Sequence, residues 1–122
     1  MGIPAVPVAA PIAAAPVCIP EDSEWLTATA LDLSSRFTLR LSRTCLRAGR
    51  TVVQYVNQDA QEHDLWVEGT SPQVAKREVV ASLAPPPAPF EQAEMNLSAG
   101  EWRLFCSIPG HGTMSRTVSV VG

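Results

Sequence analysis

The chain has 122 residues, of which 46% are hydrophobic and 17% charged, and carries a formal net charge of −3 at pH 7. That size and balance fit one globular core and exclude wholesale disorder. An acidic chain with a single lysine, Lys76, also lacks the basic face that nucleic-acid phosphates require, so no nucleic-acid partner is expected.

Residues 1–20 are uncharged and carry five prolines, at positions 4, 7, 11, 16 and 20. Proline at that density forbids a continuous helix. The stretch therefore reads as a Pro/Ala linker in extended or polyproline conformation, or as the remnant of an export or anchor segment. Any membrane association is expected to run through it alone. The folded domain is expected over residues 21–122.

Strand signals follow in order. Glu24–Leu31 is rich in Thr and large apolar residues. Phe37–Leu41 alternates, with Phe37, Leu39 and Leu41 on one face. Thr51–Asn57 is apolar on both faces, behind the turn signal Ala48-Gly49. His63–Glu68 puts His63, Leu65 and Val67 together, with Asp64 on the opposite face. Val74–Leu83 reads as a strand or a short helix, and the proline-rich Ala84–Phe90 as an irregular surface loop. Ala93–Leu97 alternates weakly, Glu101–Cys106 puts Trp102, Leu104 and Cys106 on one face, and Thr117–Val121 is the last strand. About seven short strands separated by turns predict an antiparallel sandwich.

The scarce residues carry the chemistry. There are three cysteines (Cys18, Cys45, Cys106) and two histidines (His63, His111). Cys106, His111 and Met114 share one short loop between two predicted strands. Pro109, Gly110 and Gly112 allow that loop to turn tightly. His63 opens another strand on its core-facing side. A thiolate and two imidazoles with a distant thioether form the ligand set of a blue-copper site. Thiolate and thioether suit Cu(I) and imidazole accepts Cu(II), so such a site rearranges little when an electron arrives or leaves.

Two segments carry a family resemblance. GEWRLFCSIPGHGTMSRTVSV (Gly100–Val120) resembles the C-terminal motif of the cupredoxins, the plastocyanin/azurin family of type 1 copper proteins. YVNQDAQEHDLWVE (Tyr55–Glu68) resembles the strand pair that delivers the family's first histidine. The resemblance spans roughly residues 24–122. It implies a Greek-key antiparallel β-sandwich of seven to eight strands. It also implies one type 1 copper ion held by His63, Cys106 and His111, with Met114 as weak axial ligand. There are two departures. Many members have Asn directly after the first histidine, where it helps tether the cysteine loop; Asp64 stands here and puts that role in question. The two residues between His111 and Met114 resemble amicyanin-like loops, whereas the four between Cys106 and His111 resemble azurin-like ones.

Other readings of the same residues are a zinc site and a thiol hydrolase. The first lacks an acid/base carboxylate beside the ligands, and the second lacks a recognisable oxyanion hole. Cys18 and Cys45 read as a disulfide, similar to one at an end of the azurin-like sandwich. Closing that 27-residue separation would contribute about 3 kcal/mol and implies an oxidising compartment. A second metal or redox site using Cys18 is the alternative, without nearby partners to support it. Arg36, Arg40, Arg43, Arg47 and Arg50 fall within 15 residues. They read as a solvated face and turn, with a docking patch for an acidic redox partner as the sharper alternative.

The implied function is a small monomeric electron carrier rather than an enzyme, exported to the periplasm or another extracytoplasmic space. Electrons are expected to pass through an exposed edge of His111 to transient redox partners. A copper chaperone or store, and the copper domain of a membrane-anchored oxidase or electron-transfer complex, are the alternatives.

Overall fold

Alternation of apolar and polar residues places one face of each strand against its counterparts, and the fold is the result of two such faces meeting. The computed structural model describes residues 18–20, 25–34, 36–69, 77–87 and 90–122. Nine strands run through them: β1 (Trp25–Leu33), β2 (Arg36–Leu41), β3 (Cys45–Arg47), β4 (Gly49–Asn57), β5 (His63–Gly69), β6 (Arg77–Leu83), β7 (Phe90–Leu97), β8 (Gly100–Phe105) and β9 (Ser115–Val121). One sheet has the order β2-β1-β4-β7 and the other β3-β9-β8-β5-β6. No helix occurs among the described residues. The molecule is an all-β sandwich, as the strand pattern predicts.

Most neighbours are antiparallel, but β1 pairs with β4 and β3 with β9 in parallel. Two strands exceed the expected count. Residues 77–83 form a strand rather than a helix, because β5 offers them an open edge with which to pair. The tripeptide β3 is too short to show a period, and its pairing with β9 makes it a strand. Phe90, expected in the proline-rich loop, instead opens β7 and pairs with Val56. Residues 84–87 are irregular, as expected. The linker reading of residues 1–20 lies outside the described residues as far as residue 17.

The core joins both sheets: Leu26, Ala28, Leu39, Val53 and Tyr55 from one, Leu65, Val67, Leu104 and Val118 from the other, each at most 1% exposed. Each buried aliphatic side chain of this size contributes about 1.5–3 kcal/mol. Cys18 and Cys45 form a disulfide with a Cα–Cα distance of 5.4 Å, which ties residues 18–20 to β3. Cys45 pairs with Ser119, four residues along β9 from its start, so the bridge lies about 13 Å up that strand from the Cys106–Met114 loop. A structural disulfide points to an oxidising compartment. The five arginines are divided among several elements of the two sheets and the loop between β2 and β3. Arg36 and Arg40 are exposed on β2, Arg47 is exposed on β3 in the other sheet, and Arg50 on β4 pairs with Glu94 at 2.6 Å.

Candidate metal centre

The second sheet brings the expected ligands to one end of the sandwich. His63 is the first residue of β5, Cys106 follows β8 directly, and His111 and Met114 lie in the loop before β9. Local sequence explains the loop. Ile108–His111 closes with a bond from the His111 N–H to the Ile108 carbonyl at 3.0 Å. Its central residues are Pro109 and Gly110, with Gly110 at φ +89°. Those are the residue types and conformation that a type II turn demands. A second tight turn follows, with the Met114 N–H donating to the His111 carbonyl at 2.9 Å. The Cys106 N–H then donates to the Met114 carbonyl at 3.1 Å and closes the loop.

This loop and the start of β5 together bring three ligand atoms to one point. His63 Nδ1 lies 3.1 Å from His111 Nδ1, and Cys106 Sγ lies 3.5 Å from His111 Nδ1. The ligand atoms of the three residues all lie within 4.8 Å of one another. His63 is fully buried, His111 is 4% exposed and Cys106 6%. Met114, at the end of the loop, is also fully buried. Two nitrogens about 2 Å from a shared ion would sit about 3–3.5 Å apart, so the spacing fits a metal ion. Lone pairs crowded in a dry site, with few protons to share, also suit a cation. The donors are soft sulfur and imidazole, the set that suits copper.

Burial pushes the Cys106 thiol from 9.0 up to about 11. Burial, with His63 beside it, lowers the basicity of His111. Without a metal, the thiol therefore holds its proton at neutral pH. A bound cation displaces that proton, because coordination deprotonates a thiol.

The residue after the first histidine does tether the cysteine loop. In the register that pairs Trp66 with Phe105, Asp64 lies across from Ser107. The Ser107 N–H donates to Asp64 Oδ1 at 2.6 Å, the Ser107 hydroxyl donates to Oδ2, and the Trp66 indole N–H donates to Oδ2 at 3.2 Å. Trp66 is two residues on and so shares Asp64's face, as alternation predicts. Burial raises the Asp64 carboxyl, but these hydrogen bonds outweigh it and hold the group below its ordinary value. The buried Tyr55 hydroxyl donates to the Asp64 carbonyl at 3.0 Å, and burial pushes its own pKa up.

Two further residues escape the sequence reading. Phe37, at the start of β2 in the opposite sheet, lies with its ring centroid 4.2 Å from His111 and 5.4 Å from His63. The Thr113 hydroxyl donates to the Phe37 carbonyl and fastens the loop to that strand. Asp59, in the β4–β5 loop, is 2.7 Å from His63 Nε2. An Asp four residues before a His carries no signal in a loop, where no fixed period exists, and Phe37 reads only as a core residue. Phe37 and the loop leave His111 4% exposed, so any edge it presents to solvent is small. Ile108 is half-buried beside it, whereas Pro109, Gly110 and Gly112 are exposed.

No protein-family profile and no curated protein matches the chain. Solved structures do. Reduced rusticyanin aligns with a TM-score of 0.59 at 17% identity, covering 83% of this chain and 82% of its own. Reduced auracyanin from the photosynthetic bacterium Roseiflexus castenholzii aligns at 0.57 and 14% identity, covering 82% and 98%. The multicopper oxidase McoA from Aquifex aeolicus aligns at 0.59 and 12% identity, covering 84% of this chain and 30% of the oxidase. Rusticyanin and auracyanin are cupredoxins, and the fold of this chain is the cupredoxin fold. Its buried His-Cys-His group fits a type 1 copper site.

Proposed function

We propose that the protein is a one-electron carrier whose copper ion would be held by His63, Cys106 and His111, with Met114 as a weaker further ligand. The carrying observation is the convergence of two imidazole Nδ1 atoms and one thiol sulfur in a site closed off from water. Copper would supply a Cu(I)/Cu(II) couple there. The chain's own residues supply the rest. Asp64 and the two turns fix the loop, which would limit rearrangement of its ligands when the metal changes charge. Phe37 excludes water from the two imidazoles. The carrier reading is preferred to an enzyme on the likeness to rusticyanin and auracyanin.

Pro109, Gly110 and Gly112 are exposed and Ile108 half-buried on either side of His111 in the sequence, and these small or apolar residues would offer a flat patch there. A surface of that kind suits short-lived redox partners, which use small interfaces. The carrier is proposed to act as a monomer in an exported, periplasmic or similar setting, in keeping with the disulfide. No helix among the described residues is long and apolar enough to cross a membrane. Membrane attachment is assigned, as a proposal, to residues 1–20 alone.

Addition of Cu(II) to the metal-free protein tests the reading. An intense blue thiolate-to-copper band and a type 1 EPR signal are expected, and both vanish in Cys106→Ser. A wild-type copper form without that band refutes the assignment. Rapid loss of copper to a chelator would point instead to copper handling.

A further inference from the structure

His63 makes two contacts of opposite kind. Its Nδ1 faces the metal site, and its Nε2 lies 2.7 Å from Asp59 Oδ2. Both residues are buried, His63 completely and Asp59 to 7% exposure. An ionised carboxylate can only accept a hydrogen bond. A carboxylate at that distance favours the ring proton on Nε2, which would leave the Nδ1 lone pair to face the site. We propose that Asp59 is a positioning residue: it sets the tautomer and orientation of His63, and its buried charge biases the site toward the more positive of two metal oxidation states.

The loop around Asp59 is built to hold that carboxylate. The Asp59 N–H donates to Asn57 Oδ1 at 2.9 Å, and Asp59 Oδ1 accepts the Ala60 N–H at 2.7 Å. Asn57 is fully buried at the end of β4. Its amide nitrogen lies within hydrogen-bond distance of three carbonyls: Gln61 at 2.7 Å, Leu83 at 3.0 Å and Ala84 at 3.3 Å. One side chain thus joins the end of β4, the loop carrying Asp59 and the end of β6. One carboxylate oxygen is committed to the loop backbone and the other to His63. The arrangement is a carboxylate–histidine pair of the kind that orients metal ligands and raises their basicity.

The charge has a direction of effect. One electron from a donor protein lowers the metal charge by one, with no bond formed or broken and no proton moved. A fixed anion in a poorly screened interior favours the higher charge, so it strengthens Cu(II) binding more than Cu(I) binding. This half of the proposal rests on the copper reading; the tautomer half does not.

Asp59→Asn keeps the size and the acceptor oxygen but removes the charge, and Asp59→Ala removes both. In metal-free wild-type protein, nitrogen-15 NMR should find the His63 proton on Nε2; the Asn variant should retain that state and the Ala variant should populate the other tautomer. A wild-type proton on Nδ1 overturns the positioning claim. With copper, the Asn variant should keep the blue band while its Cu(II)-to-Cu(I) affinity ratio falls about tenfold, which for one electron is a rise of about 59 mV in potential. The Ala variant should lose about 10- to 100-fold in Cu(II) affinity. An Asn variant with the band intact and the wild-type potential overturns the charge claim. A wild type without the band overturns the copper reading and the charge claim together, and the NMR result then decides the positioning claim by itself.

Discussion

Replacing Asp64 with Ala should unfasten the loop that carries Cys106. The carboxylate accepts from the Ser107 N–H at 2.6 Å, from the Ser107 hydroxyl, and from the Trp66 indole at 3.2 Å. A hydrogen bond to a charged group contributes about 1.5–3 kcal/mol net. Ser107 is exposed, so water can replace the carboxylate at its hydroxyl, and that bond contributes little. The Ser107 N–H and the half-buried indole lose their acceptor. Against this, removal of a carboxylate that is 6% exposed relieves its desolvation. The expected net loss is about 2–4 kcal/mol in the metal-free protein. Because the damage falls on the residue next to Cys106, copper affinity should drop about 10- to 100-fold as well. Urea unfolding of wild type, Asp64→Ala and Asp64→Asn measures the first effect, and copper competition against a chelator the second. The Asn variant, which keeps an acceptor oxygen, should lose less than half as much stability. An Ala variant within about 0.5 kcal/mol of wild type, the ordinary range for a neutral surface change, with unchanged copper affinity, would refute the tethering argument.

Breaking the disulfide should act on the scaffold and spare the site. Cys45→Ser should cost about 3 kcal/mol, which lowers Tm by roughly 12–20 °C in a domain of this size. The copper absorption band should stay where it is, and a band displaced along with Tm would show that the bridge reaches the site. The thiol of Cys106 gives a pH prediction. Its folded value is raised by burial from 9.0 to about 11, so between those values the folded state holds the proton more firmly than the unfolded state does. Stability of the metal-free protein from this group is complete below pH 9.0 and is lost as pH rises toward about 11. Alkylation of Cys106 should show the same displaced midpoint, and a midpoint near 9.0 would contradict its burial.

The candidate ligands were legible because their chemistry is concentrated. His111, Cys106 and Met114 lie within nine residues, and the Pro109-Gly110 pair announces the turn that brings them together. The long alternating strands were legible for the same local reason. What sequence left open depends on register and on distant pairing. β3 is too short to show any period, and 77–83 becomes a strand only because β5 offers an edge. Asp64 meets Ser107 across 43 positions, a contact set by how β5 pairs with β8. Phe37 reaches the histidines from the other sheet. Asp59 approaches His63 through an irregular loop folded around Asn57, and no repeat encodes that path.

The two turns within the Cys106–Met114 loop have a consequence for how such a site can change. Each turn closes on its own backbone bond, Ile108 to His111 and His111 to Met114, and the pair is enclosed by the bond from Cys106 to Met114. Spacing is therefore set in discrete steps. A residue added before His111 must open the first turn and can leave the second intact; one added after it does the reverse. The thiolate-to-imidazole and imidazole-to-thioether distances are thus separate variables, adjustable one at a time while the sandwich beneath keeps its register.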